Sequence, residues 1–345
     1  MELLLSNFPP ANIAKDSSRG YVEKTIKDCK TLKIASGYIS SDALIELKRI
    51  IELNGKPRIE LLIGMHYFDG FTKTQYDAAI ELNNYLINKS LGFVYLSNAM
   101  KFHGKMYSFT MNDESESAIV GSSNLGSIYD KVNRLYEADI LLRGDESRII
   151  NHSVSELTQK LGTPIEQIDI TSFNEFNRLL DNHDNVRKVS NDEFAEMLGT
   201  RLTTPQFEIP IKSEKKSNLN IFFGKGRVDK RGYEIPRPWY EAEIIISNRI
   251  TSQSGFPKNK LFTVFTDDEW SFQCETNGDF SKNFRSKDDL KILGKWLKGR
   301  LEECGALKIG SPVTTEVLSK YGRNTVSLCA TKDPDIWFLD FSSNK

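Results

Sequence analysis

The 345-residue sequence predicts two domains of different class, an α/β domain with a mixed sheet between helices and then a mainly-β domain. Three observations carry this. As far as residue 150, apolar runs of strand length alternate with helical periodicity. After Asn218 the rhythm changes to short apolar runs separated by turns. Between them, Pro205, Pro210 and the KSEKKSN run read as a linker. The expected boundaries are 1–180, a linker at 181–215, and 216–345.

In chain order, Leu32–Ile39 (LKIASGYI) predicts a buried strand, and Ser41–Leu53 a helix with Asp42 in its first turn. Asn54-Gly55-Lys56-Pro57 ends that helix. Arg58–Ile63 predicts the next strand, Thr74–Asn88 an amphipathic helix, and Gly92–Leu96 another strand. Met106–Phe109, Ala118–Val120 and Ala138–Leu142 follow as strands. Glu146–Leu161, Ile165–Leu180 and Val186–Leu198 carry helical periodicity.

In the second domain the expected strands are Leu219–Phe223, Tyr240–Ile246, Leu261–Phe265, Ser271–Cys274, Val326–Ala330 and Ile336–Leu339. One helix, Asp288–Glu303, has Ser286 as its N-cap and Gly305 beyond its end. Several strands with one helix predict a small open barrel.

The chemistry-bearing residues gather between Lys101 and Leu142, each at an end of a predicted strand. His103 and Lys105 precede one strand and share a face, because strand side chains alternate with period two. Ser122, Ser123 and Asn124 follow the second strand, and Glu137 precedes the third. The set suits a phosphodiester. A neutral imidazole attacks phosphorus and forms a covalent intermediate. Lys105, Ser122 and the Asn124 amide hold the charge that builds on the non-bridging oxygens. Glu137 accepts the ring N–H of His103 and fixes its tautomer. His66, in the turn GMHYFDG, reads as structural or substrate-lining.

His103-x-Lys105, Gly121-Ser122-Ser123-Asn124 and Glu137 together resemble the phospholipase D superfamily signature. Thr110 stands where that signature usually has an Asp, and the MNDESES loop lengthens the Lys-to-Gly spacing. Within the superfamily, nearly the whole chain resembles restriction endonucleases of the NgoFVII/NgoAVII R-protein family. The resemblance implies an α/β phospholipase D-like nuclease domain followed by a DNA-binding pseudobarrel, similar to the plant B-three type. It implies two arms that embrace the major groove of double-stranded DNA, here Lys225–Trp239 and Thr276–Lys287. On those arms Arg227, Lys230, Arg231, Asn277, Lys282, Asn283 and Arg285 are the expected DNA contacts, and Trp239 and Phe284 the expected core anchors.

The resemblance also implies a mechanism with two histidines, whereas the chain carries one His–Lys motif. A homodimer sharing His103, Lys105, Asn124 and Glu137 across a two-fold axis is therefore expected. There is no G-x-x-x-x-G-K-[ST] loop, so ATP use is expected only in a helicase-like partner subunit, as the family implies. No cofactor or metal is expected in this chain.

Composition narrows the classes. A net charge of −1 conceals a basic stretch from Lys212 to Arg237, which fits a local nucleic-acid surface. The four cysteines are scattered, which suggests neither a disulfide framework nor a zinc site. No run approaches a membrane-spanning length and MELLLSNFPP lacks a basic n-region, so a cytoplasmic protein without membrane contact is expected. Three classes stay open on the residues alone: a DNA endonuclease subunit with or without an ATPase, a phospholipid phosphodiesterase, and a non-catalytic DNA-binding protein.

Overall fold

In the computed structural model the chain divides into two compact units, Met1–Phe176 and Asn177–Lys345. The structure describes all residues other than 8–9, 55–56, 130–134, 175–179, 181–182, 184, 216, 229–233, 236 and 344–345. In the first unit the elements are β1 (Glu2–Leu5), α1 (Ser18–Thr25), β2 (Cys29–Ser36), α2 (Ser41–Leu53), β3 (Arg58–Ile63), α3 (His66–Asp69) and α4 (Lys73–Asn88). Next come β4 (Gly92–Ser97), β5 (Lys105–Met111), β6 (Glu116–Gly121), α5 (Leu125–Tyr129), β7 (Ala138–Arg143), α6 (Asp145–Leu161) and β8 (Gly162–Pro164).

The eight strands form one mixed sheet in the order β1-β7-β6-β5-β2-β3-β4-β8. β2, β3 and β4 run parallel, and β5 joins them antiparallel and leads the meander β5-β6-β7. Leu61, Leu62 and Ile63 of β3 are all fully buried, the near-continuous apolar run of a sheet covered on both faces. Ser40 caps α2 by accepting from the Ala43 N–H, and Leu44, Leu47 and Ile51 fall on its buried face. The parallel pairs β2–β3 and β3–β4 are connected through α2 and α4, which pack against each other on one side. On the other side Val154 of α6 packs onto Ala35 and Leu62. All the strand ends that carry site residues lie along one edge of this layer, because β5 and β7 begin where β2 and β6 end.

The expected helix Ile165–Leu180 does not form over its described first part. Ile165–Gln167 is a short 3-10 turn, and residues 168–174 are not helical. Tertiary bonds compete successfully there: the Asn174 N–H donates to Phe71 O at 2.8 Å and its side chain to Asp69 O at 2.9 Å. Residues 175–179, within the same expected helix, lie outside the described residues.

The second unit contains β9 (Arg187–Lys188), α7 (Asn191–Thr200), β10 (Arg201–Pro210), β11 (Arg227–Val228), β12 (Glu234–Ile235), β13 (Ile244–Ile245) and α8 (Asn248–Thr251). It continues with β14 (Leu261–Thr266), β15 (Trp270–Asn277), β16 (Asn283–Ser286), α9 (Lys291–Glu303), α10 (Thr315–Tyr321), β17 (Thr325–Thr331) and β18 (Ile336–Asp340). An open sheet runs β10-β17-β18-β14-β15-β16-β13, with β9 added beside β15. α9 buries Leu293, Trp296 and Leu297, and Trp296 packs on Phe272 and Phe341.

The linker expected at 181–215 is corrected most plainly by β10. Its Phe207 and Ile209 are buried and it pairs with β17 over Gln206–Pro210. Pro205 and Pro210 are tolerated because β10 is the edge of the sheet, where a missing N–H costs no ladder bond. Val186–Leu198 is not one helix either. Val189 is drawn into a core with Phe265, Cys329 and Phe338, and Ser190 caps α7 only after it.

Leu219–Phe223 is a turn rather than a strand, since the buried Asn220 side chain bonds Val313 on both its N–H and its carbonyl. Of Tyr240–Ile246 only Ile244–Ile245 pairs as a strand. The residues before it press against α9, where a Cβ at Gly294 would lie 1.7 Å from Tyr240 O. Ser286 ends β16 instead of capping α9, although its hydroxyl accepts from the Leu293 N–H. Three cysteines are buried thiols, while Cys304 is exposed. Among the described residues no helix is long and apolar enough to cross a membrane.

Candidate active site and DNA-facing arms

The edge of the first sheet is stitched by backbone bonds that leave no room for side chains. The Gly37 N–H donates to Gly104 O, the Met65 N–H to Gly37 O, and the Phe102 N–H to Gly64 O, all near 3 Å. A Cβ on Gly64 would sit 1.9 Å from Phe102 O, so only glycine admits this contact. His103 emerges beside Gly37 as an exposed imidazole, and Tyr38 meets it edge-on at 5.6 Å. Lys105 Nζ lies 3.2 Å from His103 Nε2 and donates to His103 O at 2.7 Å. Burial pulls the Lys105 ammonium below its ordinary pKa, and the Glu137 carboxylate opposes that shift.

The Gly121–Asn124 turn is set by a group that sequence reasoning missed. Asp139, 2% exposed, accepts from the Ser123 N–H at 3.0 Å, from Ser123 Oγ at 2.5 Å and from Ser18 Oγ. A carboxylate inside the apolar run ADILL was the signal, because a buried charge must be given donors. Gly121 packs on it so closely that a Cβ would lie 2.2 Å from Asp139 Oδ1. The turn then delivers Asn124, whose Oδ1 accepts from the Tyr38 N–H at 3.0 Å. A backbone N–H can only donate, so this bond settles the amide orientation and directs the Nδ2 donors away from the backbone. Tyr38 thus touches both His103 and Asn124. The apolar run Leu32–Ile39 predicts it inside a strand, whereas β2 ends at Ser36.

The structure brings His103, Lys105, Ser122, Asn124 and Glu137 to the same edge. The expected hydrogen bond from His103 to Glu137 is not among them: Glu137 accepts instead from Ser122 Oγ and, at 2.8 Å, from Ser127 Oγ. Serine hydroxyls of the same β6–β7 connection outcompete the imidazole because Glu137 sits at the start of β7, directly across from the β6 turn. Thr110 and the MNDESES loop lie at the opposite end of β5 and β6. The longer spacing therefore extends a hairpin without moving the site.

His66 is excluded from chemistry by its packing. Its Nε2 accepts from the Ile39 N–H and its Nδ1–H donates to Gly70 O, while the ring stacks on Phe71. Burial pulls its pKa below that of an ordinary imidazole, against the opposing bonds to Gly70 and Ile39.

In the second unit the described part of the expected arm Lys225–Trp239 contains the short antiparallel pair β11 and β12. Lys230 and Arg231 lie outside the described residues. Arg227 reaches the buried Glu241, which also binds Arg237 at 2.7 Å. Trp239 anchors the root, donating to Glu302 at 3.0 Å with Lys298 over its ring. The second arm is the β15–β16 hairpin, whose register pairs Asn277 with Asn283. Phe284 is fully buried and stacks on Phe262. Arg285 is not free for DNA here, since Glu243 and Glu275 hold it. Asn277 also donates to Glu275 at 2.8 Å, and Lys282 lies 3.6 Å from Asp279. Among the described residues no group of three or more His, Cys, Asp or Glu is placed to hold a metal ion.

A sheet of this connectivity, with a His–Lys pair, a Gly-Ser-Ser-Asn turn and a glutamate along one edge, defines a phosphodiesterase of the phospholipase D class. Residues 18–188 match the NgoFVII restriction endonuclease N-terminal PLD domain, and residues 197–332 match the NgoFVII C-terminal B3-like DNA-binding domain. The chain belongs to the NgoFVII family of restriction endonucleases, which makes it a DNA-binding nuclease. It is also similar to the crystal structure of Nuc from Salmonella typhimurium, a phospholipase D family member. That match has 14% identity and a TM-score of 0.33, and covers 47% of this chain and 95% of the other. No curated protein sequence matches it.

Proposed function

We propose that the chain is the recognising and cleaving subunit of a restriction system, and that it hydrolyses DNA phosphodiesters through a covalent phosphohistidine without a divalent metal. The observation that carries this reading is the convergence of His103, Lys105, Ser122, Asn124 and Glu137 on one sheet edge. His103 Nε2 donates its lone pair to phosphorus as the P–O bond to the leaving nucleoside breaks. Lys105 and the Asn124 amide stabilise the charge on the non-bridging oxygens.

The leaving oxygen takes a proton from a second imidazole. Within the first unit His66 cannot supply it, because both its ring nitrogens are engaged. The reading therefore needs His103 of a second copy, in a homodimer with the two sites joined across a two-fold axis. Water then attacks the phosphorus of the phosphohistidine, gives its proton to that second imidazole, and releases the first.

Recognition is assigned to the B3-like domain, with Asn277, Lys282, Asn283, Lys230 and Arg231 meeting the duplex. Arg227 and Arg285, both held by carboxylates, shape the arm bases. ATP-driven translocation is assigned to a separate subunit. The test is a cleavage assay on duplex DNA with and without EDTA, ATP being supplied in excess of magnesium demand and a helicase-like partner added or withheld. Cleavage persisting in EDTA, with His103→Ala abolishing it by at least about a thousandfold while DNA binding is retained, is expected. Loss of cutting on chelation in the partner-free reaction overturns the metal-free chemistry.

A further inference from the structure

The β15–β16 hairpin ends in a turn whose tip is an aromatic ring held out into solvent. Phe280 is 74% exposed, far more than any other phenylalanine of the second unit. Its backbone is left-handed, with φ 57° and ψ 24°. It occupies the third position of the turn Gly278–Ser281, closed by the Ser281 N–H donating to Gly278 O at 3.0 Å. Glycine or asparagine ordinarily fills that position, and a bulky side chain there is strained. An exposed ring and a strained backbone at one residue both oppose folding, and such costs collect where a side chain has to be presented.

The rest of the turn is rigid. Ser281, 2% exposed, accepts from the Asn259 N–H at 3.0 Å, and Lys282 O accepts from the Ile246 N–H at 2.7 Å. Gly278 packs on the Asn283 amide, where a Cβ would come within 2.9 Å of Nδ2. The exposed ring thus stands on a held turn flanked by Asn277, Lys282 and Asn283, residues of the types that read base edges and phosphates. An apolar ring in that company has one complementary feature in the major groove, the 5-methyl group of thymine.

We propose that Phe280 is a specificity-determining residue that reads a thymine 5-methyl group from the tip of the second arm. This rests on the reading of Thr276–Lys287 as a DNA-facing arm. The test uses the full chain silenced by His103→Ala, with a duplex enriched by binding from a pool of short random sequences. Each thymine of that duplex is replaced in turn by deoxyuridine, which removes only the methyl group. At one position the replacement weakens binding about fourfold, the factor that burying one methyl supplies. In the Phe280→Ala protein that penalty disappears.

Phe280→Gly relieves the backbone strain, so it melts no lower than the parent while showing the same loss of discrimination. Uracil penalties that persist undiminished in Phe280→Ala overturn the proposal, as does a change in sedimentation with unchanged DNA discrimination, which would mark a self-association contact. Lys282→Ala separates the two levels. If it weakens binding and lowers the salt slope by about one while no thymine couples to Phe280, the arm reading stands and this inference falls. If neither Lys282→Ala nor Phe280→Ala changes affinity, the arm reading falls as well.

Discussion

In the proposed mechanism Lys105 is the residue whose charge holds the phosphate. Burial lowers its pKa and Glu137 pushes back, so the carboxylate works through the lysine as well as through Ser122. Replacing Glu137 by Gln removes the opposing influence, and the Lys105 pKa falls further. The alkaline limb of the pH profile of kcat/KM is therefore expected to move to lower pH. An unmoved limb would show that the glutamate acts on the turn alone. Asp139 bears on geometry instead. Asp139→Ala strands one buried N–H and two hydroxyls, which costs about 3 kcal/mol of stability. It should lower Tm and reduce kcat more than it raises KM, because Asn124 loses its position.

At the scale of elements, two hairpins are each tied at the base by carboxylates. Glu241 receives Arg227 from the outgoing strand and Arg237 from the returning segment, while Glu275 and Glu243 receive Arg285. Partly buried pairs of this kind define an arrangement more than they add stability. Glu241→Gln is expected to cost about 2 kcal/mol and to weaken DNA binding without changing its salt slope, since no phosphate contact is lost. A reduced slope, read from gel shifts over a salt series, would instead make Arg227 a phosphate contact. Most elements were legible from periodicity: Ser41–Leu53 and Arg58–Ile63 form as expected to the residue. The pattern failed at Leu219–Phe223 and over the described first part of Ile165–Leu180, where Asn220 and Asn174 make long-range bonds that no local window contains.

For the whole molecule, the division after Phe176 has a direct consequence. A fragment spanning 177–345 retains β10 and is expected to fold and to bind duplex DNA without cutting it. A fragment starting at 216, the boundary drawn from proline and lysine content, loses β10 and uncovers β17. Its buried Leu328 and Val326 would then line an open edge, and aggregation is expected. Soluble yield and cooperative melting of the two fragments check this.

Short-range information was enough for much of the protein. Alternating and 3.6-residue periods specified strands and helices, and the order His–Lys, Gly-Ser-Ser-Asn, Glu marked the strand ends that the sheet gathers along one edge, because each signal depends on residues a few positions apart. Folding alone decided which partner each polar group meets. Glu137 takes serines over His103, Arg227 is claimed by the buried Glu241 and Arg285 by the partly buried Glu275, Asp139 hides behind the turn it shapes, and a proline-marked segment becomes a sheet edge. Those outcomes are competitions among donors and acceptors distant in sequence, settled by which of them burial brings within bonding distance.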